Sequence, residues 1–313
     1  MKKVFAEASA PGKVILIGDQ FVIQGVPAVL SALPYKTICR VELIPNGSPG
    51  WILDDQRTEV PGYKKAKLED QKEAMDTMIS EMKLSDKSIK VTLSGDLLAG
   101  SGVGASAANC VSFVRACNEL FDLGMSDPAV NYFAWRGEFG YHGLPSGLDN
   151  TVSTFGGTIF YHLVNDKKSF EQLNLQKPVE VVMGNSGITA NTAKLKGFLE
   201  EQRDANPNLY YKRLDSVEKQ VQELRTSLEK FDLRAVGRIM SENHKLLIDM
   251  GLSHPRLVEL CNIAEFLGAY GTKVTGGGRG GFMVALTPGK ELQETVASAF
   301  EEMGVFTIRG IIG

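Results

Sequence analysis

Leu97-Leu98-Ala99-Gly100-Ser101-Gly102-Val103-Gly104-Ala105-Ser106-Ala107-Ala108 follows an alternating segment, Ser88 to Ser94, that reads as a strand. It opens into a run of small residues that reads as a helix to about Leu123. Glycines at 100, 102 and 104 free the backbone to approach a ligand, and the helix start beyond them presents unpaired N–H groups at its positive end. Phosphate suits that environment. Gly102-Val103-Gly104-Ala105-Ser106-Ala107 also fits G-x-G-x-x-A, but a dinucleotide fold needs an early βαβ unit and an acidic residue closing its second strand. Here helix, loop and helix follow instead. A Walker A loop is excluded because no Gly-Lys-Ser/Thr follows. A tight turn that merely packs a helix on a sheet stays open from the loop alone. Ser106 adds a hydroxyl in the first helical turn, where it can coordinate a Mg²⁺ that bridges nucleotide phosphates.

Outward from the loop, Val4 to Ser9, Lys13 to Ile17, Ala28 to Leu33 and Thr37 to Leu43 read as strands, and the polar stretch Asn46 to Lys67 as an exposed loop. Helical spacing covers Met75 to Met82 and Pro128 to Gly140. Strands Gly157 to Leu163 and Val179 to Gly184 precede the helices Thr192 to Arg203, Asn208 to Glu229, Leu233 to Asp249 and Pro255 to Leu267. The tail reads strand, helix, strand: Phe282 to Leu286, Glu291 to Met303 and Val305 to Ile308. This pattern predicts an α+β protein of two domains, residues 1–160 and 161–313.

A chain of 313 residues with 43% hydrophobic and 23% charged residues can bury two cores. Its net charge of −3, with no basic run longer than Lys64-Lys65-Ala66-Lys67, argues against nucleic acid as a partner. Cys39, Cys110, Cys117 and Cys261 lack metal-ligand spacing and read as buried free thiols. No signal peptide precedes the first strand, and no apolar run approaches the roughly 20 residues of a membrane span, so a soluble cytoplasmic protein without membrane contact is expected.

A second informative string is Gly137-Glu138-Phe139-Gly140-Tyr141-His142-Gly143-Leu144-Pro145-Ser146-Gly147-Leu148-Asp149, running on to Gly157. Its glycines and Pro145 build a tight turn, and Asp149 just beyond it can accept a hydroxyl proton from a substrate attacking ATP. The alternatives are an N-cap or Asx-turn for Asp149, a solvated surface charge for Glu138 and a hydrogen-bonded loop histidine for His142.

Together these segments resemble the GHMP kinases, and among them the mevalonate kinases. Ser9-Ala10-Pro11-Gly12-Lys13-Val14-Ile15-Leu16-Ile17-Gly18-Asp19-Gln20 is similar to the family's P-G-K-V-x-L-x-G-E-H opening, and the phosphate loop to P-x-G-x-G-L-G-S-S-A. His142 to Gly157 resembles H-G-x-P-S-G-x-D-N followed by V-S-T-x-G-G. Asn243 to Leu247 with Gly251 to Pro255 matches a helix-loop stretch of the family, and Lys273 to Gly281 resembles K-x-T-G-A-G-x-G-G. The matches keep the family's order from residue 9 to 281.

The resemblance implies a two-domain GHMP kinase fold, with an N-terminal domain like domain 2 of ribosomal protein S5 and a ferredoxin-like C-terminal domain. It implies ATP and Mg²⁺ as cofactors and a small hydroxy acid such as mevalonate as substrate, with a homodimer as one possible assembly. Asp149 would be the catalytic base, with Lys13 beside it favouring the carboxylate or stabilising the phosphoryl group in flight. Gly100, Ser101, Gly102, Val103, Gly104, Ala105, Ser106 and Ala107 would hold the nucleotide, Ser106 and Glu138 the metal, and Asp19, Gln20, His142, Thr275, Gly276 and Gly277 the substrate. Some positions depart from the pattern: Gln20 replaces a usual His, Asp19 a Glu, Leu98 a Pro, Ala105 a Ser and Phe282 a Cys, while Arg279 enters a loop of small residues. Arg279 would either contact phosphate or point to water, and an Arg of some members is missing from the loop Asn185 to Thr192. A sister kinase with another hydroxylated substrate, or a ligand sensor without catalysis, fits the same fold.

Overall fold

Residues Phe5–Ile17 form one strand, β1, straight through Pro11 and Gly12, and Ala28–Leu43 form another, β2, through Pro34. The sequence breaks each into two, because proline reads as a strand terminator. Pro34 is tolerated since it falls between Ala28–Ser31 and Thr37–Leu43, the two stretches of β2 that pair with later strands. These observations come from a computed structural model that describes residues 3–188 and 195–313. The start of the helix expected from Thr192, and residues 189–191 of the loop expected before it, lie outside the described residues. The chain divides into two compact units: the described residues up to Lys13 with Leu33–Gly156, and Val14–Ala32 with Gly157 onward.

In the first unit the stretch expected as a loop contains a strand, β3 (Gly50–Asp55), and one helical turn, α1 (Tyr63–Ala66). Helix α2 (Leu68–Glu81) buries Ala74, Met75, Met78 and Ile79. In β4 (Ser88–Gly95), Ile89, Val91 and Leu93 are buried and alternate with half-buried Lys90, Thr92 and Ser94. β4 runs parallel to β3 and antiparallel to Thr37–Leu43 of β2. The small residues of α3 (Ala105–Phe121) let it be buried nearly all round. Helix α4 (Asp127–His142) lies close on α2, because a Cβ at Gly140 would stand 2.5 Å from the Ala74 nitrogen. Helix α5 (Leu148–Phe155) closes the unit.

In the second unit a 3-10 turn, Asp19–Gln24, precedes Ala28–Ser31, which pair antiparallel with β5 (Thr158–Val164). β5 turns through Asn165-Asp166, both at positive φ (48° and 60°), into β6 (Lys167–Leu173). Two such residues between paired strands make a tight hairpin; β6 is too polar to have announced itself. A four-stranded antiparallel sheet follows, in the order β10-β7-β9-β8. It comprises β7 (Val179–Asn185), β8 (Gly271–Val274), β9 (Phe282–Leu286) and β10 (Thr307–Ile312). Helices α6 (Leu195–Ala205), α7 (Pro207–Glu229), α8 (Leu233–Asp249) and α9 (Pro255–Phe266) come between β7 and β8, and α10 (Lys290–Glu302) between β9 and β10. Strand, helix, strand, strand, helix, strand with β7 inside the sheet is the ferredoxin-like pattern. Caps fix the long helices: Asn206 accepts from the Leu209 N–H at 3.1 Å, and Asp232 from Ala235 at 3.0 Å. All four cysteines are buried and free. Among the described residues no helix is long and apolar enough to cross a membrane.

Candidate active site

Gly100, Gly102 and Gly104 sit at φ 81°, 83° and 79°, the left-handed region where any other residue is strained. Gly104 caps α3 without a side-chain hydrogen bond, so the first-turn N–H groups of Ala105, Ser106 and Ala107 are not capped by a side chain. Ser101 is buried and donates to the Leu98 carbonyl at 2.7 Å, while Val103, Ala105 and Ala107 are core. Only the backbones of these four remain for a ligand. The loop is braced from a region the sequence left as loop: Ala99 bonds Thr58 and Val60, and the Tyr63 ring packs on Gly100.

Lys13 is fixed to this loop by its backbone N–H, 2.8 Å from the Val103 carbonyl. Its buried ammonium lies 3.4 Å from Oδ1 of Asp149, a carboxylate 29% exposed. Arg115 on α3 sets that separation, donating to the Ser9 carbonyl on β1 at 3.1 Å and to Thr154 on α5 at 2.6 Å. Ser153 adds a bond to the Pro11 carbonyl at 2.7 Å. Asp149 occupies the first turn of α5, whose cap is Gly147 with no side-chain bond. It is therefore not the N-cap of that helix, and its charge lies at the positive end of the helix.

Glu138 is buried in α4 rather than exposed. Burial, followed by the charge of Asp149, pushes its carboxyl up to about 8, against the opposing Ser106 hydrogen bond and the Lys13 charge. The Cys110 thiol, itself held protonated by burial and by Glu138, points at Oε1 from 3.9 Å. His142 ends α4 and is not in a loop; its Nε2 lies 3.2 Å from Ser106 Oγ and 3.9 Å from Glu138 Oε2. Partial burial lowers its imidazole. Among the described residues no group of three or more His, Cys, Asp or Glu could hold a metal ion. Ser106 and Glu138 still fit Mg²⁺, which takes one or two protein ligands and completes its shell with phosphate and water; a buried carboxyl with the Ser106 hydroxyl bonded to it is a suitable donor pair.

The first unit thus brings together Lys13, Ser106, Glu138, His142 and Asp149 with the glycine loop. The second unit brings together Gln20, Thr275 and Gly276: Gln20 Nε2 donates to the Gly276 carbonyl at 2.7 Å, and Thr275 Oγ1 accepts from the Ile15 N–H at 3.0 Å. Gly277 lies in the same turn between β8 and β9, Asp19 opens the 3-10 turn beside Gln20, and the Asp19 side chain lies outside the described atoms. Gly278 allows close approach to the Leu252 carbonyl. Arg279, at φ 61°, lays its guanidinium 4.4 Å over the Phe198 ring, a partner neither sequence alternative named.

Residues 71–157 match the model of the GHMP kinases N-terminal domain, and residues 224–305 match GHMP kinases C terminal. The mevalonate kinase of Pyrococcus furiosus is 32% identical, across 95% of this chain and 93% of its own length. The crystal structure of L. major mevalonate kinase in complex with R-mevalonate superposes with a TM-score of 0.93 at 34% identity, covering 100% of this chain and 98% of the other. The Methanococcus jannaschii mevalonate kinase structure shares the fold at 17% identity and a TM-score of 0.81, over 98% of both chains. The chain belongs to the GHMP kinase family.

Proposed function

We propose that this chain transfers the γ-phosphoryl group of ATP to the 5-hydroxyl of mevalonate, giving 5-phosphomevalonate and ADP. The observation that carries the proposal is the Lys13–Asp149 pair at 3.4 Å, held against the glycine loop that opens α3. Support for the substrate comes from relatives named mevalonate kinase at about one-third identity over nearly the whole chain.

Asp149 accepts the proton of the substrate hydroxyl, and Lys13 steadies both that carboxylate and the charge on the phosphoryl group in transit. The glycine loop and the first-turn N–H groups of α3 receive the phosphates. Ser106 and Glu138 would hold Mg²⁺, which would neutralise triphosphate charge. His142, on the Ser106 hydroxyl, orients it. Asp19, Gln20, Thr275, Gly276 and Gly277 contact the substrate, with Gln20 fixing the loop backbone through Gly276.

The test is ADP release in a coupled assay with mevalonate, phosphomevalonate and galactose offered separately. Release with mevalonate is expected. A flat response to mevalonate beside a clear response to either other compound would transfer the assignment to a sister kinase.

A further inference from the structure

Tyr63, Lys67 and Asp70 make a continuous edge between the glycine loop and the end of α4. At one end the Tyr63 ring covers Gly100 so closely that a Cβ there would overlap it. At the other, the Asp70 carbonyl would stand 2.8 Å from a Cβ at Gly140, two residues before His142. Lys67 is midway. Its N–H bonds the Tyr63 carbonyl and its own carbonyl accepts from Gln71, both at 2.9 Å, where α1 ends and α2 begins. The junction therefore places Lys67 four residues from the ring that covers Gly100 and three from the backbone that meets Gly140, two residues before the imidazole that touches Ser106. The charges of Lys67 and Asp70 both act on that imidazole.

Within the Lys64-Lys65-Ala66-Lys67 run the lysines differ. Lys64 is committed: Nζ donates to the Asp55 carbonyl at 2.8 Å, and its own N–H to Glu59 at 2.6 Å. Lys65 is exposed. Lys67 is partly exposed and pairs with Asp70 at 2.6 Å, an i,i+3 surface pair. Such pairs contribute little to stability, so exchanging Asp70 for a stronger anion costs little. A polyphosphate carries several negative charges against the single one on Asp70, and an ammonium bonds either as a charge-assisted pair.

We infer that Lys67 is a further contact for the polyphosphate of the nucleotide, its ammonium passing from the Asp70 carboxylate to a phosphate oxygen when ATP binds. The inference rests on the reading of the first unit as the ATP site. It adds a cation that lies outside every motif of the family resemblance.

The experiment is calorimetric titration of the full chain and its variants with ATP and with AMP, alongside steady-state kinetics. Lys67→Met should weaken ATP binding roughly tenfold, the size of one lost charge-assisted contact, and leave AMP binding unchanged. The Michaelis constant for ATP should rise with it while that for the second substrate stays constant. Lys67→Arg should keep most of the affinity, and Lys65→Met all of it. Asp70→Asn, which frees the lysine without removing it, should bind ATP at least as well as wild type. Unchanged ATP affinity in Lys67→Met overturns the inference. So does an equal loss for AMP, or an equal loss in Asp70→Asn, either of which would make the pair a brace for α2. Should the wild type ignore mevalonate while Lys67→Met still loses ATP affinity, the substrate proposal falls and Lys67 keeps its role.

Discussion

A Cβ on Gly104 would lie 2.7 Å from Cγ of Lys13, so the cap of α3 and the lysine facing Asp149 share one space. Gly104→Ala must either push the lysine stem aside or shift the cap, and it also strains a backbone at φ 79°. A fall in turnover of roughly tenfold or more is expected, with a stability loss of about 1–3 kcal/mol. Kinetics and denaturant melts of the same preparation separate the two. Full activity would show that Lys13 tolerates displacement.

Asp149→Asn removes the proton acceptor and keeps the shape of the side chain. Turnover should fall by ~10² to 10⁴-fold. Thermal stabilisation by ATP should survive, because the phosphate-binding backbone is unaltered. Wild-type turnover in this variant would remove Asp149 from the mechanism.

Glu138, with its carboxyl raised to about 8, stays protonated in the folded metal-free chain at pH values where the unfolded chain has already ionised. Its burial therefore lowers stability as pH rises from about 4.5 to about 8. Glu138→Gln carries no such penalty and should match or exceed wild-type stability toward the upper end of that window. The same variant should gain less thermal stability from Mg²⁺ with ATP. A variant that melts in parallel with wild type across the window would contradict the raised carboxyl.

His244 shows the opposite sign. Burial, reinforced by the charge of Lys273, lowers its imidazole to about 4, and Nε2 lies 2.9 Å from Ser253 Oγ. The fold holds it neutral while the unfolded chain takes up a proton below about pH 6.5. Stability is then complete above that value and declines as pH drops toward 4, by roughly 3 kcal/mol at the acid end. Denaturant midpoints between about pH 7 and pH 4 should slope less in His244→Gln than in wild type; equal slopes would assign the acid sensitivity elsewhere.

Much of the site was legible in the sequence because its residue types are chemically narrow. A glycine loop ahead of a small-residue helix suits phosphate though it leaves a plain packing turn open, and Asp149 after Gly147 lies 3.4 Å from the Lys13 ammonium. Burial of Glu138 was not legible. A carboxylate in a helix reads as surface until the packing of α4 on α2, through Gly137 and Gly140, is known. The same holds for Tyr63 and for strand β3, whose apolar run Trp51-Ile52-Leu53 is only three residues long between a glycine and two aspartates. β8 is four residues long and carries a buried lysine, Lys273, so neither length nor polarity marked it. In contrast α8 came out with its boundaries intact, since Asp232 is a cap visible in sequence.

The long strands β1 and β2, each shared between the compact units, govern how this chain can be taken apart. A fragment that begins at Gly157 would carry Thr158–Tyr161 without Ala28–Ser31, leaving that edge of β5 bare and prone to self-association. Anyone wanting the carboxy-terminal half alone must graft residues 14–32 back onto it, and the Ala32 N–H, 2.9 Å from the Gly157 carbonyl, marks where a short linker from the graft into Gly157 would keep Ser31 opposite Thr158.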